Sequence, residues 1–220
     1  KFQELQENFP NSPLLSESFY WQGLSLWVSG KPDEARVVLD YLSANSGPDL
    51  SGKAQLALAE LESTEGNYQA AIEAYLRLLS RTKDKRLRTR VWDGLGDARY
   101  NLEQYDEALL AYKKVLKSKS SLKANYETRL QIGLVLERQK NLNEALKVYN
   151  DILKEKLLKS FEPEVQIKRG IVYDLMGDLP RSIEIYEKLI EDHPRTDQSA
   201  EAYYRMAVIE QKQRKNLAKA

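Results

Sequence analysis

Few side chains in this 220-residue chain are of the kind that does covalent or metal chemistry. There are no cysteines and one histidine, His193. That removes a thiolate nucleophile, a disulfide framework, a Cys-ligated zinc and any multi-histidine metal site. His193 precedes Pro194 at a helix end, the setting of a surface turn residue and not of a general base. Asp and Glu number 33, but most fall beside lysines on helical stretches. Glu144 with Lys147, and Glu184 with Lys188, have the spacing of solvated pairs on one helix face. Gly94-Leu-Gly96 lies inside a helical pattern, so it serves packing and not phosphate binding, and no Gly-x4-Gly-Lys-Ser/Thr loop occurs. The expectation is a chain with no catalytic residue, no cofactor and no metal site, and therefore not an enzyme.

The bulk composition narrows the partners. The 34 basic residues nearly cancel the acids, leaving a net charge of +1, which argues against a nucleic-acid ligand. At 42% apolar and 30% charged the chain can offset its conformational entropy and fold. No apolar run approaches the ~20 residues of a transmembrane helix, and no signal peptide is visible. One local excess stands out: Arg81, Lys83, Lys85, Arg86, Arg88 and Arg90 crowd one short stretch. It reads either as a solvated loop between elements or as a docking patch for an acidic partner or anionic lipid.

The elements that position these side chains follow from an internal period. Ala71, Ala108, Ala145 and Ser182 each follow a turn, and each precedes a tyrosine by four residues: Tyr75, Tyr112, Tyr149 and Tyr186. The step is 37 residues throughout, and a further copy has Ala35 with Leu39, 36 residues before Ala71. Each unit divides into two helices. Val91, Trp92, Leu95, Ala98 and Leu102 recur at steps of three and four, and after a turn Tyr105, Ala108, Leu109, Tyr112, Val115 and Leu116 mark a second apolar face. Gly30, Gly66 and Gly177 fall between the helices, where a left-handed residue ends a helix without a Cβ clash. Pro32 and Pro180 open second helices. The small second-helix residue is expected to face Gly23, Ala59, Gly96, Gly133 or Gly170, with the tyrosine filling a wider gap beyond.

Trp92-x2-Leu95-Gly96, Ala108-x3-Tyr112 and His193-Pro194 resemble the tetratricopeptide repeat family, whose pattern runs Trp-x2-Leu-Gly, Ala-x3-Phe and a closing Pro. The step here exceeds the family's usual ~34, as in related bacterial subfamilies, with the extra residues between repeats, for instance around Ser118 and Ser121. The resemblance implies an all-α fold: a right-handed α-α superhelical solenoid of stacked helix-turn-helix units. One array spans 1–220. Residues 1–15 trail from a preceding repeat; complete repeats occupy 16–51, 52–88, 89–125, 126–162 and 163–199; and 200–220 supply the first helix of an incomplete sixth. Both ends look cut, and Lys215 to Ala220 resembles the opening of a further second helix, so a fragment of a longer protein is expected.

The resemblance also implies that first helices line a concave groove and that the ligand there is a protein or peptide. A stripe next to the core stripe gives Tyr20, Leu24 and Trp27, then Leu56 and Glu60, then Arg90, Asp93, Asp97, Tyr100 and Asn101. It continues with Gln131 and Glu137, then Lys168 and Asp174, and last Tyr204. Phe19, Tyr20, Trp21 and Trp27 crowd the first of these helices. They either pack on the preceding helix through Phe2, Leu5 and Phe9 or form an aromatic anchor for a partner. The leading expectation is a scaffold or adaptor. The Phe9-to-Gly23 run resembles repeats of bacterial periplasmic and outer-membrane-associated proteins, which favours the cell envelope over the cytoplasm. The alternatives are a non-catalytic arm of a larger enzyme or secretion protein, and self-association through exposed repeat ends.

Overall fold

The computed structural model describes residues 2–9, 12–118, 121–155 and 159–217. Residues 10 and 11 of the Phe9-to-Gly23 run, 119–120 of the inter-repeat stretch and 218–220 of the C-terminal motif lie outside them. The chain forms two compact units, Lys1–Lys119 and Ser120–Ala220. The first holds α1 (Phe2–Asn8), α2 (Leu15–Val28), α3 (Pro32–Asn45), α4 (Pro48–Thr64), α5 (Tyr68–Arg81), α6 (Lys85–Asn101) and α7 (Tyr105–Leu116). The second holds α8 (Leu122–Arg138), α9 (Leu142–Lys154), a short 3-10 turn (Lys159–Phe161), α10 (Glu162–Met176), α11 (Leu179–Asp192) and α12 (Asp197–Leu217). Among the described residues there is no strand. Within each unit consecutive helices pack against each other, and first helices also touch: α2 with α4, α4 with α6, and α10 with α12. The protein is an all-α helical repeat.

Five turns inside the repeats share one backbone geometry. Gly30, Gly66 and Gly177 adopt φ of 74°, 83° and 79°. Glu103 and Lys140 take the same place in the other two repeats, with φ of 59° and 61°. In each case the following N–H reaches back five residues to a carbonyl of the first helix: Lys31 to Leu26, Asn67 to Glu62, Gln104 to Arg99, Asn141 to Leu136 and Asp178 to Tyr173. The left-handed residue itself donates to the carbonyl three before it. These paired bonds satisfy the orphan carbonyls of the helix end.

First helices begin earlier than the repeat boundaries expected from the sequence. Those boundaries at 52, 89 and 126 lie four residues inside α4, α6 and α8, and the one at 200 lies three inside α12. The apolar pattern marks where the helix meets the core, whereas its first turn is fixed by caps. Asp84 Oδ1 accepts from Leu87 N at 2.6 Å, and Ser121 Oγ accepts from Ala124 N at 3.2 Å. At the other end, α12 runs on through Leu217, so Lys215 to Leu217 extends a first helix instead of opening a second. Gln211 to Leu217 contains no Gly or Pro, and Gln, Lys and Arg favour helix.

The core is the repeat read inward. Ala35, Leu39, Ala71, Tyr75, Ala108, Tyr112, Ala145, Tyr149, Ser182 and Tyr186 are all buried. One detail differs from the sequence expectation: the tyrosine fills no gap beyond the glycine but lies directly on it. A Cβ added at Gly96, Gly133 or Gly170 would meet the ring of Tyr112, Tyr149 or Tyr186 well inside van der Waals contact. At Gly23 it would come within 2.8 Å of Leu39. The small residue has its own task. In α11 the Ser182 hydroxyl donates to the Gly170 carbonyl at 2.9 Å, fixing the approach of the two backbones.

Candidate functional site

Because each tyrosine crosses a glycine, its ring traverses the helix pair and its buried hydroxyl ends on the first-helix side. In the first unit Tyr112 donates from its hydroxyl to Asp97 Oδ1 at 2.6 Å. In the second, Tyr149 donates to a Glu137 carboxylate oxygen. Carboxylates of the first-helix face are thus held by side chains rooted in second helices. Burial raises the carboxyls of both Asp97 and Glu137, and the tyrosine hydrogen bond pulls each partly back. Sequence reasoning took these tyrosines as core filler and missed their outer ends. The available signal was Tyr in place of the family's Phe at four successive repeats.

The fold brings four of the sequence-predicted residues together on α4 and α6. Arg90, Asp93, Gly94 and Asp97 lie at i, i+3, i+4 and i+7 along α6, one stripe of a helix. Glu60 of α4 reaches across to Arg90, Oε1 to Nη2 at 2.8 Å. Burial raises the Glu60 carboxyl, and the Arg90 charge lowers it in part. Tyr75 comes up from α5 beneath Gly94, where an added Cβ would be 2.5 Å from both its Cζ and its hydroxyl. Burial first, and then the charges of Glu60, Asp97 and Asp93, hold the Tyr75 hydroxyl well above its ordinary range.

Tyr100 and Asn101 follow at the end of α6. The Tyr100 ring stands 5.9 Å from that of Tyr105 across the turn, and the Asn101 amide donates to the Asp97 carbonyl within the helix. On α2, Tyr20 and Leu24 pack partly against the core formed by Leu39, Leu42, Ala54 and Ala57, and Trp27 is half-buried. Leu56, expected on the groove stripe, is buried in the core instead, because α4 is covered by α5 and α6 on that side.

The aromatic crowd on α2 is not absorbed by the helix before it. Phe9 is 64% exposed and Trp21 55% exposed, while α1 meets α2 through Gln6, whose amide donates to Gln22 Oε1 at 2.8 Å. Tyr20 contacts Trp21 edge-on at 5.4 Å, and Phe19 leans on Tyr41 of α3 at 5.2 Å. The basic stretch divides. Arg88 donates to the Leu79 and Thr82 carbonyls at the end of α5, Arg90 pairs with Glu60, and Arg81, Lys83, Lys85 and Arg86 stay exposed.

In the second unit, Gln131 lies on α8, Lys168 and Asp174 on α10, and Tyr204, 70% exposed, on α12. Lys168 is near enough to Glu137 to lower its carboxyl, after the Tyr149 bond. Tyr186 is buried with its hydroxyl unmet among the described residues, since the nearby Ser182 hydroxyl is committed to Gly170. Among the described residues no three His, Asp or Glu side chains group as metal ligands, and no helix is long and apolar enough to cross a membrane.

A family model described as tetratricopeptide repeat matches residues 20–85 and 94–156, and a second of the same description matches 164–196. No curated protein sequence matches the chain. Solved structures similar to it include YrrB, described as a TPR protein with an unusual peptide-binding site. It shares 16% identity at a TM-score of 0.63, over 92% of this chain and 97% of that one. A tetratricopeptide repeat protein from Parabacteroides merdae shares 20% identity at a TM-score of 0.69, over 87% of this chain and 73% of that one. MamA from Desulfovibrio magneticus RS-1 shares 16% identity at a TM-score of 0.67, over 83% and 97%. At such identities the likeness is one of fold.

Proposed function

The chain belongs to the tetratricopeptide repeat family, and from that premise we propose that it is a protein–protein interaction scaffold holding an extended partner segment against its first helices. The observation that carries this reading is the charged set on α4 and α6. Asp97 is anchored by the buried Tyr112 and Glu60 by Arg90, on helices that also carry Asp93. Fixed polar groups on a rigid helical face lower the ordering cost of binding. The likeness to YrrB, described as binding a peptide, supports the same reading.

The test is a selection of random peptides, displayed on phage, against the 220-residue chain. Selected sequences are expected to lose binding to Asp97→Arg and to Tyr100→Ala, both checked for native helicity by circular dichroism. Retention of every selected sequence by both variants would overturn the reading. A cell-envelope location is also proposed, on the Phe9-to-Gly23 run; fractionation of the source cells with an antibody to the chain tests it, and recovery in the cytosolic fraction rejects it.

A further inference from the structure

Three helix ends of the first unit meet at one edge and carry positive charge that the fold leaves unpaired. Tyr75 of α5 lies against Gly94 of α6, and farther along α5 the Leu79 and Thr82 carbonyls accept from Arg88, so the two helices are antiparallel and α5 ends where α6 begins. Tyr105 of α7 stands beside Tyr100, and Tyr112 beside Gly96, so α7 also runs back toward the start of α6. Arg81, Lys83, Lys85 and Arg86 occupy the α5–α6 junction, and Lys113, Lys114 and Lys117 the end of α7. These seven side chains are exposed, and none makes an ion pair or hydrogen bond to a described residue. Asp84 at this edge is committed to Leu87 N as the cap of α6, and Asp49 at the start of α4 is paired with Lys53 at 2.6 Å. Lys85 and Arg86 stand at the positive end of the α6 dipole with no acid in that turn, an arrangement that disfavours the helix. Folding does not account for their placement.

We propose that this edge docks on a lipid bilayer that carries anionic headgroups. Five of the seven cations are lysines. Lysine is a hydrated point charge on a flexible stem, suited to a diffuse negative field and depleted from specific protein interfaces. Neither 76–91 nor 113–118 contains an aromatic residue, so these segments have no ring to stack on bases or to fill a pocket of a protein partner. Leu110, 59% exposed, shares one stripe of α7 with Lys113, Lys114 and Lys117 at i, i+3, i+4 and i+7. An apolar side chain among cations on one helix face suits the boundary between headgroups and acyl chains. None of the seven belongs to the charged set on α4 and α6, so a chain seated by this edge keeps that set for its partner.

The test is co-sedimentation of the 220-residue chain with vesicles of phosphatidylcholine alone or of phosphatidylcholine mixed with phosphatidylglycerol. The chain is expected to sediment with the mixed vesicles only, and to be released as salt rises. Lys85→Gln and Lys113→Gln lie on different helices of the same edge. Each should weaken vesicle binding about fivefold, and the two losses should multiply in the double variant. Leu110→Ser should weaken vesicle binding without changing its salt dependence. In all four variants the melting temperature and the binding of selected peptides should stay as in wild type, since the altered side chains are exposed and unpaired.

Equal sedimentation with both kinds of vesicle, no sedimentation with either, or a double Gln variant that binds as wild type does overturns the inference. Duplex DNA and poly-glutamate, titrated at the same salt, separate the other polyanions. Binding to either as tight as to the mixed vesicles, at equal anionic charge, overturns the lipid assignment in favour of that class. Every one of these outcomes leaves the first-helix scaffold reading standing, because Asp97→Arg and Tyr100→Ala test it on a different surface.

Discussion

Tyr75 in the first unit and Tyr186 in the second occupy the same step of the repeat and share the same burial, yet their outer ends meet opposite surroundings. Nineteen residues after Tyr75 comes Gly94; nineteen after Tyr186 comes Arg205. Over Tyr75 lies the Gly94 backbone, and the charges of Glu60, Asp97 and Asp93 act on its hydroxyl. Near Tyr186 stands the Arg205 guanidinium, paired with Glu201 at 2.7 Å, with Asp174 beyond. The backbone, the glycine seat and the buried ring are constant. One first-helix residue per repeat changes the chemistry offered at the ring's tip. A repeat protein can therefore vary its binding face without disturbing its core.

The largest test of that comparison is of what is held constant. Tyr112→Ala and Tyr186→Ala should each cost ~3–5 kcal/mol in urea denaturation, one in each unit, and a loss confined to one unit would break the equivalence. Gly96→Ala and Gly170→Ala should cost ~1–3 kcal/mol, since neither ring can yield without shifting its helix.

The hydroxyls should separate the sites. Tyr112→Phe removes a hydrogen bond to a carboxylate and should cost ~1.5–3 kcal/mol, whereas Tyr186→Phe removes a buried hydroxyl with no partner and should be neutral or stabilising. Equal effects would erase the distinction drawn here.

Smaller still, Glu103→Gly and Lys140→Gly should each raise stability by ~1 kcal/mol, because both hold a left-handed φ that disfavours a Cβ. A fall in melting temperature in either variant would show that the side chain contributes more than the strain removes.

The least effect is one of pH. Asp97 in the first unit and Glu137 in the second have raised carboxyls, so the folded chain takes up these protons more readily than the unfolded one. Each therefore favours folding at low pH and opposes it as pH rises through its folded range. Asp97→Asn keeps an acceptor for Tyr112 and removes the opposition. Its melting temperature should slightly exceed wild type at neutral pH, and the gap should close as pH falls through the carboxylate range.

What the sequence disclosed and what it withheld divide along a physical line. Core contacts repeat, so Tyr75, Tyr112, Tyr149 and Tyr186 announced the array by spacing alone. Gly30, Gly66 and Gly177 announced three of its turns. Glu103 and Lys140 hid the other two, because neither residue type signals a left-handed turn and only the register reveals them. Helices start before the repeat boundaries drawn from the core period because caps such as Asp84 and Ser121 are local and do not follow that period. Glu60, Arg90, Asp93 and Asp97 were legible as neighbours on one face from helical spacing. That Tyr75 ends among them was not, since it depends on a ring passing a glycine on the next repeat's helix.

The five left-handed turns have a consequence for how such a chain can grow. Each closes the carbonyls of its own helix with its own amides, from Gly66 and Asn67 back to Ser63 and Glu62, and from Glu103 and Gln104 back to Tyr100 and Arg99. No donor is borrowed from outside the joint. A gene segment spanning one such joint to the next therefore encodes a block whose two seams already match. Duplication or deletion by whole blocks leaves every seam intact, whereas an insertion of a few residues at a seam does not. The steps of 36 and 37 residues between joints are the lengths of such blocks in this chain.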